Sequence, residues 1–485
     1  MEIEEAEEVL EAVSPIGQYL SSSIVSLSII AVLETEIPFD VSQTMSLVTD
    51  VFLPINPRFS SIMVVNSKGE KQWKKVEVNV KDHIKVPIFS TENSTKFYDD
   101  SLSEYISNIS LEKFPENKPL WEIHIINYPT IEAAGNIIFK LHHSLGDGFS
   151  LMGALISCLK RADNPSIPLT FPSAQTHSNN SDRTGLKIVP KILSSIYYTI
   201  SDLCSSIAIS SGFVEDDISP IRSGHHGVEF LPTTSITISF SLDSVKQIKT
   251  KLGVTINDVI TGTIFLGTRL YMEAMSKGSG KARARSLVLL NTRMFCGYKS
   301  VEEMVKPNAE LPWGNHFTFL SVPIPKLNGS QSQDPLQFIW KVRKNIQRKR
   351  SSLSVFLTAK YLQMLSKFRG PEAVSNFLYG TLKYTSMGIS NLMGPIEHMT
   401  LTNHPISGFY FLVNGPPQSL KMGMVSYMGK LRVSAALEKD FIDPQKFKFY
   451  SEKAFDIIFK AAIGASSSPS SLNDFLLYEY EHQIQ

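Results

Sequence analysis

The chain has 485 residues, of which 42% are hydrophobic and 19% are charged, which is the composition of an ordinary globular protein and excludes a disordered or fibrous one. Lys and Arg number 47 against 46 Asp and Glu, so the overall charge gives no reason to expect nucleic acid as a partner. Cys158, Cys204 and Cys296 lie far apart without metal-ligand spacing. We therefore expect neither a disulfide framework nor a metal site, and a reducing, cytosol-facing compartment.

The first part of the chain alternates strands and helices. Segments 26–34 and 61–66 are rich in β-branched and apolar residues and predict strands. Segments 121–128 and 136–141 predict a hairpin, because turn-prone residues separate two apolar runs. The apolar spacing of 150–162 predicts a helix that follows this hairpin.

A change of composition follows this first part. Residues 164–185 are rich in Pro, Ser, Asn and Thr and predict an exposed linker. In 188–213, isoleucines such as Ile196 and Ile200 recur at helical spacing, with polar residues such as Asp202 between them. The segment predicts an amphipathic helix that packs on the protein or lies at a membrane surface, with a membrane-crossing helix as the less favoured alternative. No run of 18 or more apolar residues predicts a transmembrane helix, and the acidic N-terminus predicts no cleaved signal.

The second part repeats the α/β character of the first. The predicted elements are strands at 235–240, 286–290 and 318–322, helices at 254–275 and 334–368, and a hairpin over 418–437 that turns near Gly429. We expect an N-terminal subdomain (1–185), an amphipathic connecting segment (186–215) and a C-terminal subdomain (216–485). Two α/β units with a cleft between them are the simplest arrangement.

Residues 142–148 read His-His-Ser-Leu-Gly-Asp-Gly and follow directly on an apolar strand. A hydroxyl group that attacks an acyl carbon needs a base, and a neutral imidazole can accept its proton near neutral pH. His143 and Asp147 have H-x-x-x-D spacing, and Gly146 and Gly148 allow a tight backbone path. The pattern predicts a catalytic base at the end of a strand. An isolated H-x-x-x-D is also compatible with a structural role, in which the two histidines only form hydrogen bonds with their neighbours.

The complete motif resembles that of the wax ester synthase/diacylglycerol acyltransferase family, one of the CoA-dependent acyltransferases. Three further segments resemble family motifs in the same order: Pro-Leu-Trp at 119–121, Asn-Asp at 257–258, and Ser-Asn-Leu-Met-Gly-Pro at 390–395. The length and the closing region resemble the plant branch. The resemblance implies two chloramphenicol-acetyltransferase-like subdomains with mixed sheets and a central active-site channel.

The resemblance also implies roles for the motif residues. His143 would be the general base, and His142 a neighbour that shapes the site. Asp147 would orient the motif loop, and Arg293 is a candidate partner for it. Catalysis is thus predicted at His143, Asp147 and His142.

Four further residues are candidates for substrate binding: Gly148, Asn257, Ser390 and Asn391. The last three would bring polar groups near the cleft to stabilise an oxyanion. Two alternatives remain open, because Asn257 and Asp258 could form a helix cap and Ser390 and Asn391 a turn.

A covalent serine mechanism is the main chemical alternative, and the sequence argues against it. No G-x-S-x-G elbow occurs, since Gly148-Phe149-Ser150 continues with Leu151-Met152. The D-F-G-W-G motif of plant acyltransferases that modify secondary metabolites is also absent, which favours lipid alcohols over aromatic acceptors. We expect direct transfer with both substrates bound at once.

The reaction implied by the resemblance moves a long-chain acyl group from acyl-CoA to a long-chain alcohol, with diacylglycerol as a second acceptor. Acyl-CoA is a co-substrate, and no cofactor is expected. A lipid- or CoA-binding protein without turnover is the rival class. Lipid substrates predict attachment to the endoplasmic reticulum membrane, or alternatively the plasma membrane, with the site facing the cytosol. Two basic clusters are candidates for contacts with CoA phosphates or anionic lipid: Lys277, Lys281, Arg283 and Arg285, and the run Lys341, Arg343, Lys344, Arg348, Lys349 and Arg350.

Overall fold

The computed structural model describes residues 9–67, 69–91, 93–169, 188–291, 303, 313–327, 334–350 and 352–464. The strands are β1 (Val9–Ala12), β2 (Ser28–Thr35), β3 (Ser61–Val65), β4 (Lys71–Lys75), β5 (Ile84–Lys85), β6 (Trp121–Ile126), β7 (Gly135–His142), β8 (Lys160–Arg161), β9 (Thr233–Ser241), β10 (Arg285–Asn291), β11 (Phe317–Pro323), β12 (Met387–Leu392), β13 (Met399–Leu401), β14 (His404–Asn414), β15 (Leu420–Tyr427) and β16 (Lys430–Glu438).

The longer helices are α1 (Pro15–Leu20), α2 (Thr95–Leu111), α3 (Gly148–Ser157), α4 (Ile188–Ser210), α5 (Leu242–Leu252), α6 (Ile256–Met275), α7 (Gln337–Arg350), α8 (Ser354–Lys383) and α9 (Pro444–Ile463). Short helical turns fill most of residues 41–60. Within the described ranges, no helix is both long enough and apolar enough to cross a membrane.

Two large sheets organise these elements. One has seven strands in the order β5-β6-β7-β2-β14-β13-β8, the other six in the order β11-β10-β12-β15-β16-β9, and a small sheet joins β1, β4 and β3. Both large sheets are mixed, since β5 runs parallel to β6, and β12 runs parallel to both β10 and β15, among antiparallel neighbours. This architecture confirms the predicted α/β class with mixed sheets.

Strand β7 carries the histidine motif and lies in the interior of the seven-stranded sheet. It pairs with β6 on one side and β2 on the other, and all of its residues are buried, as its apolar sequence requires. The predicted hairpin is confirmed, with Trp121 opposite Leu141. The register places His142 opposite Ser28, so the motif begins where β7 ends.

The two halves of the chain share the seven-stranded sheet. Strand β14 pairs with β2 over its length, and Arg432 of β16 forms a buried ion pair with Glu34 of β2. The C-terminal half therefore contributes to the sheet that carries the motif. The predicted boundaries near residues 185 and 215 stay a prediction, and most of the predicted linker lies outside the described residues.

The prediction that residues 334–368 are largely helical is confirmed, and the helical stretch is divided into two helices. The chain forms α7 and α8 with a break around Ser352, whose side chain accepts a hydrogen bond from the Ser354 amide. Helix α8 then continues to Lys383 and bends at Gly370, where φ is 81°. The hairpin near Gly429 is confirmed, and Gly429 has the positive φ that its turn requires.

Candidate active site

The motif loop, residues 143–148, turns the chain from β7 into helix α3. Asp147 is the N-cap of α3, and its Oδ1 accepts a hydrogen bond from the amide of Ser150 at 3.0 Å. Helix α3 therefore begins at Gly148, two residues before the predicted start. A Cβ on Gly148 would lie 2.8 Å from Cδ2 of Leu392, so glycine lets the end of β12 approach the loop closely.

His143 is buried and held at three points. Its amide donates to the carbonyl of Leu27 at 2.8 Å, its ring Nδ1 lies 3.0 Å from Oδ1 of Asn315, and its carbonyl accepts from Nδ2 of Asn315 at 2.9 Å. The ring also packs against Phe317, with 5.3 Å between centroids. These contacts fix both the backbone and the plane of the imidazole.

The contacts of Asn315 determine which ring nitrogen of His143 carries the proton. A carbonyl oxygen only accepts, so the group that faces the His143 carbonyl must be the NH₂ of Asn315. The oxygen of Asn315 therefore faces Nδ1 and requires a proton there. The lone pair of the neutral ring is then on Nε2, and no group in the described part of the chain forms a hydrogen bond to it. Nε2 is thus the nitrogen that can accept a proton.

Burial lowers the pKa of His143 from its usual 6.5, although the hydrogen bond to its own backbone, the charge of Asp147 and the bond to Asn315 act in the opposite direction. Desolvation disfavours the charged imidazolium more than these groups favour it. His143 is therefore neutral near pH 7, which is the state that a general base needs.

His142 has different hydrogen-bond partners from His143, and its contacts are structural. Its Nδ1 accepts hydrogen bonds from the amide and the hydroxyl of Ser144, at 3.1 and 2.7 Å, so its proton lies on Nε2, 3.3 Å from the hydroxyl of Ser26. Burial is the main cause that lowers the pKa of His142 to about 3, followed by repulsion from His143 when that ring is protonated and from Lys71 and Lys140. His142 is a neutral anchor for the loop.

Asp147 joins the motif loop to residues 313–316, which the sequence reading did not identify. Its Oδ2 accepts from the amide of His316 at 2.8 Å, and its own amide donates to the carbonyl of Gly314 at 3.2 Å. Trp313 Nε1 donates to the carbonyl of Leu145 at 2.7 Å. These contacts agree with the orienting role expected for Asp147. Arg293, the partner suggested for it, lies outside the described residues.

The remaining candidates lie at the end of β12 and the start of α6. Asn391 Nδ2 donates to Asn257 Oδ1 at 3.0 Å, so two separate family-like segments meet there. Asp258, next to Asn257, forms a capping box with Thr255, which is the cap alternative raised by the sequence. Ser390 lies on β12 opposite Gly423, so it is not in a turn. A substrate role for Gly148, Asn257, Ser390 and Asn391 stays a prediction.

Residues 313–316 were missed because their partners are distant in the sequence. Asn315 and His143 are 172 positions apart, and no local pattern links them. The polar residues of the run Trp-Gly-Asn-His just before β11 were the available signal, since binding and catalytic residues often lie on loops that a rigid scaffold positions.

The remaining predicted ligand groups are possible metal ligands and the two basic clusters. Within the described ranges, no three His, Cys, Asp or Glu side chains form a possible metal site. In the first basic cluster, Arg285 pairs with buried Asp216 at 2.7 Å. In the second, Arg348 and Lys349 both contact Asp202, at 3.0 and 2.9 Å. These three cations have structural partners.

Two family models match the chain: the wax ester synthase/diacylglycerol acyltransferase catalytic domain at residues 67–260 and the WS/DGAT C-terminal domain at residues 313–459. Among curated proteins, wax ester synthase/diacylglycerol acyltransferase 1 of Arabidopsis thaliana is 30% identical over 84% of this chain and 86% of its own length. Wax ester synthase/diacylglycerol acyltransferase 6 of the same plant is 29% identical over 86% of both chains.

Solved structures support the same fold. The wax ester synthase/diacylglycerol acyltransferase from Marinobacter aquaeolei VT8 aligns with a TM-score of 0.58 at 14% identity, over 93% of this chain and 100% of that one. The starter condensation domain of rhizomide synthetase aligns with a TM-score of 0.54 at 9% identity, over 94% and 93%. With the histidine motif on β7 and both family domains matched in order, the chain belongs to the wax ester synthase/diacylglycerol acyltransferase family.

Proposed function

We propose that this protein transfers a long-chain acyl group from acyl-CoA to a long-chain fatty alcohol, with His143 as general base. The observation that carries the proposal is the neutral His143, whose Nδ1–H is fixed by Asn315 and whose Nε2 is left to accept a proton. The relatives named above carry both activities in their names, so diacylglycerol is the second acceptor to test.

The reaction then proceeds without a covalent enzyme intermediate. His143 Nε2 removes the hydroxyl proton as the alcohol oxygen attacks the thioester carbonyl, forming a C–O bond. The tetrahedral intermediate collapses, the C–S bond breaks, and the imidazolium returns the proton to the CoA thiolate. The thioester supplies the activation, so the step needs no cofactor.

Asp147 and Asn315 act through position in this scheme. Asp147 holds the loop on residues 313–316, and Asn315 holds the tautomer of His143. A hydrogen-bonded orienting group behind the base is the general arrangement for an activated nucleophile. His142 anchors the loop as well.

The proposed location is the cytosolic face of the endoplasmic reticulum membrane, with the plasma membrane as the alternative. What supports a membrane location is the chemistry of the substrates, because long-chain alcohols, diacylglycerol and the ester products partition into bilayers. The choice between these two membranes rests on the family resemblance alone.

The test is an assay of the purified protein with labelled palmitoyl-CoA and a mixture of hexadecanol and diacylglycerol. We expect labelled wax ester, with the ratio to triacylglycerol reporting acceptor preference. His143→Ala should lose about 10²- to 10⁴-fold in rate, the usual contribution of a general base. His226→Ala, a change at an exposed histidine, is the matched control and should keep the wild-type rate.

Two results would count against the proposal. Absence of any ester from wild-type protein would favour the binding protein without turnover. Equal product from His143→Ala and wild type would remove His143 as the base while leaving an acyltransferase.

A further inference from the structure

Helix α4 leaves much of its apolar stripe exposed, unlike an ordinary amphipathic surface helix, although Ile209 is buried. Its polar residues Thr199 and Asp202 are buried, while Ile200 on the other side is 59% exposed and Ile196 and Ile207 are exposed as well. A surface helix normally buries its apolar stripe. From residue 192 to 210 the only charged residue is Asp202, so the exposed side of this helix carries no charge.

The buried polar side of α4 is explained by its neighbours. Asp202 accepts from both Arg348 and Lys349 at the end of α7. Thr199 Oγ1 accepts from the amide of Leu353, just before α8. These hydrogen bonds fix the rotation of α4 about its axis, and that rotation turns the isoleucines outward.

Helix α8 exposes a similar stripe beside α4. Leu357, Met364 and Phe368 recur at helical spacing and are exposed, with Phe368 76% exposed. Lys360 and Lys367 lie on the same arm of the helix and are exposed too. No Asp or Glu occurs between residues 334 and 372, although this stretch contains many Lys and Arg. Along the first arm of α8 the charged neighbours of the apolar stripe are therefore basic, and the next carboxylate in the sequence is Glu372, just beyond the bend.

The bend at Gly370 makes Phe368 part of a projecting tip. Thr199 and Ser210 of α4 contact the two ends of α8, at Leu353 and Gly380. The α4 segment between these contacts is about 16 Å long, whereas the α8 segment would be about 40 Å long if it were straight. The two arms of α8 must therefore fold back on each other, with the bend farthest from both contacts.

A pocket lies between the two arms of α8. Leu362 lines it from the first arm, Phe377 and Leu378 from the second, and Ser205 and Ser206 from α4. Phe317 of β11 lines the pocket as well. Phe317 is also the ring that packs on His143, so the pocket shares a wall residue with the surroundings of the proposed base.

We propose that the outer face formed by Ile196, Ile200 and Ile207 of α4 and Leu357, Met364 and Phe368 of α8 docks on an anionic phospholipid bilayer. The lipid substrate then enters from the bilayer through the pocket between the arms of α8. The entry step rests on the proposed function; the docking does not. Exposed apolar side chains bordered by lysine are the pattern of helices that lie in a membrane interface.

The experiment measures binding of the full chain to phosphatidylcholine vesicles, with and without phosphatidylserine, by flotation. Met364→Ser with Phe368→Ser should lower the partition coefficient about tenfold or more on both vesicle types. Lys360→Glu with Lys367→Glu should lower it about tenfold or more only where phosphatidylserine is present.

The matched control is Ile88→Ser with Ile131→Ser, two isoleucines that are 89% and 67% exposed elsewhere. This double variant should bind vesicles like wild type. Hydrogen exchange gives an independent readout without any substitution, because residues 195–210 and 354–369 should gain protection when vesicles are added. Thermal unfolding of each variant confirms that it is folded.

The docking proposal would be overturned if the wild-type protein did not bind phosphatidylserine vesicles. It would also be overturned if the control variant lost as much vesicle binding as the variant that carries Phe368→Ser. Concentration-dependent dimerisation through this face, without vesicle binding, would make a second copy of the chain the occupant. Vesicle binding does not depend on turnover. If the wild-type protein bound vesicles but made no ester, the proposed function would be contradicted and the docking proposal would still hold.

Discussion

The motif loop and the outer face of α4 and α8 differ in how completely the rest of the protein covers their side chains. In the loop, His143, Asp147 and Asn315 are buried, and hydrogen bonds join their segments. On the outer face, apolar side chains such as Phe368 are exposed, while Thr199 and Asp202 of α4 are buried. Buried hydrogen bonds therefore hold the side chains of the loop in one geometry. The outer face gains stability only if something apolar covers it.

The largest expected effect is a loss of stability when the motif loop loses the carboxylate of Asp147. Asp147→Ala removes an N-cap, which costs about 1 kcal/mol, and leaves the partly buried amide of His316 without this acceptor, which costs about 1–3 kcal/mol more. We expect the free energy of unfolding to fall by roughly 2–4 kcal/mol in urea titrations.

Asp443→Ala is the matched control, because Asp443 caps α9 at the surface and accepts from Gln445 and Lys446. That variant should lose only the capping energy, about 1 kcal/mol. If the free energy of unfolding fell by the same amount in both variants, the contacts between Asp147 and residues 313–316 would contribute no stability beyond that of the helix cap.

The second prediction concerns catalysis alone. Asn315→Leu removes both hydrogen bonds to His143, so the ring can rotate and its tautomer is no longer fixed. We expect kcat to fall roughly ten- to a hundredfold, which corresponds to about 1.4–2.7 kcal/mol in the activation barrier. Steady-state rates with palmitoyl-CoA and hexadecanol measure this loss.

Asn127→Leu separates that effect from lost stability. Asn127 also forms two hydrogen bonds with one residue, Phe39, at 2.9 and 2.8 Å, but it lies outside the site. Its replacement should lower the unfolding free energy and leave kcat of the folded enzyme unchanged. A similar fall in kcat for both variants would show that Asn315 acts only through stability.

The sequence predicted the local parts of the site well and the long-range parts poorly. Strand β7 and the start of α3 follow from an apolar run and a turn of Gly and Asp, which are signals carried by neighbouring residues. The two hydrogen bonds between Asn315 and His143 form because β11 packs beside the motif loop. The periodicity of the sequence contains no information about that packing. Strand β14 was not predicted at all, so its place beside β2 in the motif sheet was missed as well.

The amphipathic pattern of α4 illustrates a second limit. The spacing of Ile196 and Ile200 predicted a helix, and the helix is confirmed. Periodicity reports that a helix has two faces but does not say which face packs on the protein. Arg348 and Lys349, more than a hundred residues away, determine that the Asp202 face is the buried one.

The third prediction uses pH to examine the environment of His143. The neutral ring is the active form, and burial lowers its pKa below 6.5, so kcat/KM should stay high as pH falls through 6.5 and decline only below it. In Asn315→Asp, a carboxylate beside Nδ1 favours the imidazolium and should move this decline to higher pH. An unchanged pH profile in the variant would contradict the contact between residue 315 and the base.

The smallest expected effect concerns the outer face. Phe368→Ser removes a large apolar side chain that is 76% exposed, so little packing is lost and the free energy of unfolding in water should change by less than about 0.5 kcal/mol. Val374→Ala, a smaller change on the other arm of α8, should cost roughly 1–3 kcal/mol because Val374 is fully buried. Urea titrations of both variants measure this contrast. A large loss from Phe368→Ser would mean that the tip packs on the protein in solution, and the bilayer would then have to displace that packing before it could bind.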